Sequence, residues 1–408
     1  MVVNIARVRQ DLESLAGIGR WADGGLYRLV YTPAELEARA WLKERMSRAG
    51  LEVRVDPAGN IIGRLGTGTG PALVIGSHLD TVPGGGAFDG ALGLVAGLEV
   101  ARAVQESSPL RHPLEVIAFS DEEQARFLPG LGGARAMALG VDPARFEGLR
   151  DAQGVSLEEA MAQAGLDLGL AGNARRDPAT ILAYLELHVE QGPRLDEAGI
   201  PIGVVEGIVG ITRYGVTITG ESNHAGTTPM DRRRDALVAA CELVLEFTRA
   251  VKAEDGHLVG NVGRLKVRPG APNIVPGQVD LVLEIRCLEE ERLHRVLGAA
   301  RALADTWAGR GLGYSWNEAR YGSPCPMDEH VQDAITRACA SLGIPYLRLL
   351  SWAGHDAQFI GRVAPAGMIF VPSRGGISHS PEEYTSWEDV ARGVRVLYTA
   401  ALELDRQH

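Results

Sequence analysis

The chain has 408 residues, of which 45% are hydrophobic and 23% are charged. This length exceeds what one hydrophobic core usually supports, so we expect a soluble protein with two globular domains. The formal net charge of −11 excludes nucleic acid and anionic membranes as partners, because binding phosphate polymers requires a basic surface. We therefore expect small molecules as partners.

From the targeting and redox signals we expect a cytoplasmic protein. No apolar run approaches the roughly 20 residues that a membrane span needs. Residues 1–20 have a helical pattern with interspersed charges, rather than the basic start and apolar stretch of a signal peptide. The four cysteines are scattered without a Cys-x-x-Cys pair, which is too sparse for a disulfide framework, so we expect them to be reduced and structural.

The first part of the chain alternates between helix and strand patterns. Thr32 and Glu35 have the spacing of a capping box, with Pro33 at the first helical position, which predicts a helix that stops at Gly50. Strands are predicted at 51–55, 60–65, 72–75 and 114–119, and a further helix at 89–105. This alternation predicts an α/β domain whose functional residues lie at the carboxyl ends of mostly parallel strands.

The pattern changes after residue 208, where alternating strands indicate an inserted α+β domain. Its predicted elements are strands at 214–219 and 279–286 and a helix at 235–252. From about residue 323 the first type of pattern returns, with a predicted helix at 326–342 and a buried strand at 367–371. We therefore predict a first domain made of 1–209 and 323–408, interrupted by an inserted domain at 210–322.

Histidines and carboxylates follow the predicted strands in five separate motifs, which lie at 76–81, 84–90, 120–123, 188–192 and 378–381. His78 and Asp80 point to one side of an extended chain. His78 could therefore bind a metal through one ring nitrogen while its other ring N–H donates a hydrogen bond to the Asp80 carboxylate. Alone, an acidic run such as 121–123 would be a solvated turn. Clustered at a sheet edge, however, such carboxylates repel one another unless divalent cations neutralise them.

The ligand types in these motifs are three histidines and two carboxylates, which suit zinc or another first-row ion. The candidate ligands are His78, Asp89, Glu123, His188 and His379. Asp89 also fits the N-cap of the helix that follows it, and both roles are compatible.

At these motifs the chain resembles the hydantoinase and carbamoylase branch of the dizinc aminoacylase and carboxypeptidase superfamily. Its members include N-carbamoyl-L-amino acid hydrolases, ureidopropionases and allantoate amidohydrolases. The resemblance covers nearly the whole chain, through motifs at 76–81, 187–193, 223–230, 354–357 and 376–381. It implies a metallopeptidase-like catalytic domain with a mostly parallel central sheet and an inserted α+β dimerisation or lid domain.

The resemblance also implies two divalent ions per chain, with zinc first and manganese, cobalt or nickel as alternatives. In that arrangement Asp89 bridges the ions. Glu123 and His379 complete one site. His78 and His188 complete the other, and His188 is informative because many peptidase relatives have a carboxylate there.

Further roles follow from the same resemblance. Glu122 matches the catalytic glutamate and is our candidate general base, with Asp80 as a supporting catalytic residue; without the resemblance, Glu122 would be an outer carboxylate. His224 would reach a neighbouring subunit's site and stabilise the oxyanion, which implies a homodimer. Arg286 would bind the substrate carboxylate, unless it forms only a salt bridge. The other matching substrate contacts are Gln191, Asn273 and Gly354, and Arg213 is a weaker candidate.

The implied reaction is hydrolysis of the carbamoyl C–N bond of an N-carbamoyl-L-amino acid, releasing the amino acid, carbon dioxide and ammonia. Allantoate is the close alternative, followed by ureidopropionase activity and, more distantly, by a dipeptidase or aminoacylase. A ligand-binding protein without activity would have lost a ligand or the base, and none is lost. A dinucleotide enzyme is disfavoured, because the glycines of 66–70 lack the required spacing and predict a turn.

Two positions depart from the family pattern. Gln124 stands where a glycine usually follows the two glutamates, and Trp352 stands where a glycine usually precedes 353–356. Both leave the candidate ligands intact but could reshape the pocket.

Overall fold

The computed structural model describes residues 3–66, 68, 70–107 and 110–407. The chain forms two compact units, Met1–Glu206 with Pro326–His408, and Gly207–Cys325. The sequence pattern places the corresponding boundaries at 209 and 322. Each predicted boundary therefore lies three residues from the observed one. At the first boundary one strand continues to Ile208, so the sequence pattern changes at the end of that strand rather than at the end of the unit.

The helices and strands fall into three stretches of the chain. Up to residue 208 they are α1 (Ile5–Leu15), α2 (Pro33–Arg48), β1 (Glu52–Val55), β2 (Ile61–Leu65), β3 (Ala72–His78), α3 (Ala91–Ser107), β4 (Leu114–Phe119), α4 (Gly133–Leu139), α5 (Leu157–Gln163), β5 (Ile181–Val189), α6 (Arg194–Ala198) and β6 (Ile202–Ile208). The second stretch contains β7 (Gly210–Thr219), β8 (Asn223–His224), α7 (Ala236–Lys252), β9 (Leu258–Arg268), β10 (Ile274–Val275), β11 (Gln278–Cys287), α8 (Glu290–Asp305) and β12 (Gly313–Gly322). The last contains β13 (Cys325–Pro326), α9 (Glu329–Leu342), β14 (Tyr346–Ser351), α10 (Ala357–Ile360), β15 (Ala366–Val371) and α11 (Trp387–Gln407).

The first unit is built around a nine-stranded sheet in the order β1-β2-β4-β3-β5-β15-β6-β13, with β14 paired to β6. Its four central strands, β4, β3, β5 and β15, are mutually parallel, while β1, β2 and β6 are antiparallel to their neighbours. The predicted α/β class with a mostly parallel central sheet is therefore confirmed. Because the central strands are parallel, their carboxyl ends meet at one edge.

The central strands have the burial of a sheet that is covered on both faces. Every residue of β3, β4 and β15 is buried, which explains their continuous apolar sequences. The predicted end of β3 was too early, because the strand continues through Ser77 to His78. Both side chains are buried although they are polar, so the apolar pattern stops before the strand does.

Capping side chains set the helix boundaries. Thr32 accepts a hydrogen bond from the backbone N–H of Glu35, and α2 starts at Pro33 as predicted. The Glu35 carboxylate, however, accepts from the N–H of Tyr31 rather than from that of Thr32, so the capping box is displaced by one residue. The predicted helix at 326–342 begins only after Asp328, whose side chain caps it.

Helix α3 packs unusually close to the central sheet. A Cβ atom at Gly93 would lie 2.5 Å from the carbonyl oxygen of Leu187 and 2.7 Å from Cβ of Ser77. Distances this short do not occur between real atoms, so only glycine permits this approach. The approach brings the start of α3, and Asp89 just before it, against the carboxyl ends of β3 and β5.

The second unit has a four-stranded antiparallel sheet in the order β12-β7-β11-β9. Side chains of β7 and β11 alternate between buried and partly exposed. The buried side chains join α7 and α8 in one hydrophobic core, so the helices cover one face of the sheet and the other face is polar. A separate two-stranded pair, β8 with β10, places Ile274 opposite His224.

Three sequence predictions concern the whole chain. Every helix in the described residues is too short or too polar to cross a membrane. All four cysteines are described and none forms a disulfide bond, although Cys241 is exposed rather than structural. Of the predicted turn at 66–70, positions 67 and 69 lie outside the described residues.

The close packing of α3 gives a stability prediction. Gly93→Ala should destabilise the protein by about 1–3 kcal/mol, because the added methyl group must push the helix away from the sheet. The matched control is Gly298→Ala in α8, where an added Cβ would meet no atom within 4 Å. This control should be neutral or stabilising by up to about 1 kcal/mol, since alanine favours helix. Urea unfolding of both variants measures the difference, and equal midpoints would contradict the packing argument.

Candidate metal centre

All five predicted ligand side chains meet at the carboxyl edge of the parallel sheet. They arrive from separate segments: the end of β3, the turn before α3, the turn after β4, the end of β5 and the loop after β15. Their atoms form two groups of three that are close enough to hold a metal ion each, namely His78, Asp89 and His188, and Asp89, Glu123 and His379. The two groups share Asp89.

The carboxylate of Asp89 lies at the centre of the cluster. Its Oδ1 is 3.3 Å from Nε2 of His78 and 3.2 Å from Nε2 of His188. Its Oδ2 is 3.2 Å from Nε2 of His379, which is 3.7 Å from Oε1 of Glu123. The two oxygens of Asp89 therefore face different groups. A carboxylate that bridges two cations requires this arrangement.

Backbone carbonyl groups orient two of the histidines. Nδ1 of His78 is 3.0 Å from the carbonyl oxygen of Asp80, and Nδ1 of His188 is 3.0 Å from that of Val189. A neutral imidazole that donates from Nδ1 keeps a lone pair on Nε2, which is the form that binds metals. Both Nε2 atoms face Asp89.

Asp80 does not play the part that we predicted for its side chain. The ring proton of His78 is directed to the Asp80 carbonyl oxygen, not to its carboxylate. The carboxylate instead accepts hydrogen bonds from the backbone N–H groups of Glu122, at 3.3 Å, and Glu123, at 3.1 Å. Asp80 therefore positions the turn that carries the candidate base and a candidate ligand.

The electrostatics of the cluster fit a divalent cation. Burial raises the pKa of Glu123 to about 7, and the nearby Asp89 acts in the same direction. Burial also raises the pKa of Asp121 and of Glu122 well above the usual carboxyl range. The acidic run 121–123 is thus not a solvated turn. Nitrogen and oxygen donors with an excess of negative charge are the environment in which zinc-type ions bind, so the residues present fit such an ion.

Strained backbone is concentrated around the cluster. Four residues here have a positive φ although they are not glycine: Asp121 (59°), Gln124 (48°), Gln191 (58°) and His379 (53°). This conformation is costly for residues with a side chain and persists where the surroundings impose it. It explains why glycine suits position 124, where Gln124 instead uses its side-chain oxygen to accept from the N–H of Gly130 at 3.2 Å.

Sequence reasoning missed Glu383, which holds two of the candidate ligand loops. This buried carboxylate accepts from the backbone N–H groups of Phe88 and Asp89, at 2.9 and 3.0 Å, and from the hydroxyl of Ser378 at 2.7 Å. It therefore connects the turn before α3 to the loop of His379. The available signal for Glu383 was its position just after the motif at 378–381. An acidic residue near a proline is, however, ordinarily a surface residue.

A second missed group lies behind His188. The carboxylate of Glu186 accepts from the hydroxyls of Ser77 and Tyr184 and from the N–H of Ala357, at 3.0 to 3.1 Å. The ring of His355 packs edge-on against that of His188, with centroids 4.5 Å apart. Glu186, His188 and His355 are also close enough to hold an ion. Because Glu186 already accepts three hydrogen bonds, we assign these residues to the support of His188.

Gln191 and Gly354 lie in the first unit with the cluster. The amide nitrogen of Gln191 donates to Oδ2 of Asp89 at 3.0 Å, whereas its buried amide oxygen has no hydrogen-bond partner among the described residues. Gly354 lies in the segment between β14 and α10, next to His355. Gln191 therefore offers an acceptor next to the candidate metal ligands.

The remaining predicted residues lie in the second unit. Nδ1 of the exposed His224 accepts from the N–H groups of Gly226 and Thr227, at 3.0 and 3.2 Å, so the neutral ring carries its proton on Nε2. The carbonyl oxygen of Asn273 accepts from the N–H of Ala225, so Asn273 lies beside His224.

Two arginines of the second unit share one carboxylate. Nε of Arg213 is 2.6 Å from Oε2 of Glu284, and Nε of Arg286 is 3.0 Å from Oε1. The salt bridge considered for Arg286 is therefore present. A carboxylate ligand of Arg286 would have to share or displace that contact.

The fold and the cluster define an α/β protein with a candidate metal centre at the carboxyl edge of a parallel sheet. The sequence profile of the peptidase family M20/M25/M40 matches residues 74–403, and the chain belongs to this family. It is 43% identical to N-carbamoyl-L-amino acid amidohydrolase of Geobacillus stearothermophilus, over 98% of each chain. It is 38% identical to allantoate amidohydrolase of Bacillus subtilis, over 95% of this chain and 94% of that one.

A solved structure supports the same assignment. The crystal structure of an amidase of the hydantoinase/carbamoylase family from Burkholderia multivorans matches with a TM-score of 0.88 and 33% identity, over 98% of each chain. The family resemblance that the motifs predicted is therefore confirmed.

Glu383 provides a test of how the ligand loops are held. Glu383→Ala removes the acceptor for two backbone N–H groups and one hydroxyl, so the affinity for zinc should fall by about 10–100-fold. Glu382→Ala is the matched control, because Glu382 is the next residue in the chain and its side chain is exposed. Competition with a chromophoric chelator measures the affinity, and an equal loss in both variants would show that Glu383 has no special role.

Proposed function

We propose that this chain hydrolyses the carbamoyl C–N bond of N-carbamoyl-L-amino acids. The observation that carries the proposal is the carboxylate of Asp89, shared by two groups of metal-type donors, with Glu122 beside them. The relative from G. stearothermophilus, an N-carbamoyl-L-amino acid amidohydrolase with 43% identity along the full chain, supports the choice of substrate.

We propose two divalent ions per chain, preferably zinc. His78 and His188 would hold one ion, Glu123 and His379 the other, and Asp89 both. When bound, such ions supply Lewis-acid chemistry, since they lower the pKa of water and polarise a carbonyl group.

The chain's own groups move the protons. Oε2 of Glu122 is 3.9 Å from Nε2 of His78, and the hydrogen bond from its backbone N–H to Asp80 fixes its turn. In our proposal Glu122 takes a proton from the water that attacks the ureido carbon. It then returns the proton to the amino-acid nitrogen as the C–N bond breaks. The carbamic acid so formed decomposes to carbon dioxide and ammonia.

Other side chains would bind the substrate. The amide oxygen of Gln191 has no hydrogen-bond partner among the described residues and can accept from the ureido NH₂ group. Arg286 would bind the carboxylate, assisted by Asn273 and by the segment at Gly354. The Nε2–H of His224 is a donor that suits the oxyanion formed on the ureido oxygen.

Allantoate hydrolysis is the second candidate. It is favoured by the 38% identity to the allantoate amidohydrolase of B. subtilis. Allantoate also presents a ureido group beside a carboxylate, so the same donors would hold it. Ureidopropionase and dipeptidase or aminoacylase activities use the same metal chemistry, but no particular contact in the site favours them.

A substrate panel tests the proposed function. Purified enzyme should hydrolyse N-carbamoyl-L-amino acids faster than allantoate, N-carbamoyl-β-alanine, N-acetyl amino acids or dipeptides, with ammonia release as the assay. Dialysis against a chelator should abolish turnover, and zinc, manganese or cobalt should restore it. A preference for allantoate would make allantoate hydrolysis the favoured function instead. Full activity without metal would reject the hydrolytic mechanism.

The Glu122→Gln variant tests the base. It keeps the side-chain shape but removes the proton acceptor, so kcat should fall by about 10²–10⁴-fold. Metal content, measured by mass spectrometry, should stay at about two ions per chain, since Glu122 is not a proposed ligand. Near-normal turnover would show that Glu122 is not the general base.

We also propose a homodimer formed through the second unit. Strand β9 pairs with β11 on one side and has no partner on its other side among the described residues. Leu265 of this edge strand and Val238 and Leu245 of the adjacent α7 are exposed. A long unpaired edge with apolar neighbours is a surface on which a second copy can add its own edge strand.

Subunit mixing tests whether His224 serves a partner's site. His224→Ala and Glu122→Gln chains should each be nearly inactive, while mixed dimers have one intact site with the base from one chain and His224 from the other. With statistical exchange, activity should recover to about a quarter of wild type, since about half of the dimers are mixed. His257→Ala, another exposed histidine of the second unit, should retain activity alone. If heterodimers form without recovery, His224 acts within its own chain.

A further inference from the structure

The polar face of the second unit carries a trough, which we define by its floor at Gly215 and Val282. These two residues are cross-strand partners on β7 and β11. Arg264 of β9 and Asn317 of β12 flank them in the same row of the sheet. Two cavities of about 400 and 570 Å³ meet here, and both are lined by Gly215, Arg264 and Asn317. The missing side chain of Gly215 leaves the depression between the flanking residues.

The trough has an excess of positive charge. Its charged lining consists of Arg213, Arg264, Lys266, Arg268, Asp280 and Glu284. Both acids are paired: Glu284 with Arg213 at 2.6 Å, and Asp280 with Arg268 at 3.0 Å.

The other two cations of the trough, Arg264 and Lys266, form no ion pair within the part of the chain that the structure describes. Asp280 lies opposite Lys266 in the sheet and attracts it, but Asp280 is already paired with Arg268, so the lining has two more cations than acids. This excess favours a ligand with two negative charges.

The spacing of these cations indicates the kind of dianion. Arg264 and Lys266 are two positions apart on β9, so they project from the same face about 7 Å apart. The amides of Asn261 and Asn317 and the hydroxyl of Ser315 add hydrogen-bonding groups along the same surface. Two carboxylates joined by a short carbon chain can each bind one cation at about this separation, whereas one phosphate can bind both only if the two side chains bend toward each other and bring their positive charges together.

We propose that the trough binds a small dicarboxylate, with one carboxylate at Arg264 and the other at Lys266. The guanidinium group can hold its carboxylate through two parallel hydrogen bonds, and the ammonium group acts as a point charge. All of the lining residues belong to the second unit, so the site uses none of the proposed metal ligands. One end of the trough adjoins the proposed substrate contacts, because its lining includes Arg213 and Glu284, and Glu284 contacts Arg286. Arg264 and Lys266 themselves have no part in the proposed reaction.

Isothermal titration of the full-length, metal-loaded enzyme with succinate tests the proposal. We expect one site per chain, with a dissociation constant on the order of 1 mM that weakens as salt is added. The double variant Arg264→Gln/Lys266→Gln should weaken binding by at least about tenfold.

Gly215→Leu tests the shape of the trough without changing its charge. A Cβ at this position would lie 3.8 Å from the carbonyl oxygen of Asn317, an ordinary contact, so the variant should fold while its side chain fills the floor. It should lose succinate binding as well. If thermal unfolding shows that it is misfolded, the charge variant alone decides the test.

Lys43→Gln/Lys252→Gln is the matched control, because it removes two exposed positive charges elsewhere. It should keep the wild-type affinity. The proposal is overturned if wild type does not bind succinate, or if all variants bind it equally, as they would through the metal centre. Tighter binding of inorganic phosphate than of succinate, with the same loss in the charge variant, would overturn the assignment to dicarboxylates.

Discussion

The carboxylate of Asp89 lies within 3.3 Å of imidazole nitrogens from three separate segments of the chain. Burial alone would raise the pKa of Asp89, but hydrogen bonds from the three histidines, when their Nε2 atoms are protonated rather than bound to a metal, hold it well below its usual range. The arrangement requires that the ends of β3 and β5 be neighbours, that α3 start against them, and that the loop after β15 return to the same edge. The parallel order of the central strands meets the first requirement, and the close approach of α3 at Gly93 meets the second.

Three further buried carboxylates accept hydrogen bonds from backbone N–H groups around the cluster, and two of them, Asp80 and Glu383, hold segments that carry candidate ligands. Asp80 holds the turn after β4, Glu383 holds the turn before α3, and Glu186 holds the start of α10. The backbone in these turns leaves regular secondary structure, so its N–H groups need acceptors from elsewhere. Buried hydrogen bonds behind the candidate ligands therefore fix where their segments lie, as the placement of metal donors requires.

Glycine has opposite uses in the two units. At Gly93 the absence of a side chain lets a helix and a sheet approach each other. At Gly215 an added Cβ would meet nothing closer than 3.8 Å, so the absence of a side chain leaves open space on the sheet face. The first glycine serves packing, whereas the second serves access. Only the surroundings of each residue distinguish the two cases.

The sequence by itself determined the local features: the start of α2 at Thr32 and Pro33, the buried parallel strands, and the residue types in the strand-end motifs. These features depend on side chains a few positions apart, and so they appear as periodicity and spacing. Only the tertiary structure decided that the Asp80 carboxylate holds the turn after β4, and that Glu383 holds Phe88 and Asp89. The contact of Glu383 with Phe88 spans 295 positions. Such a contact leaves no local pattern, because it exists only once strands that are distant in sequence have been brought to the same edge of the sheet.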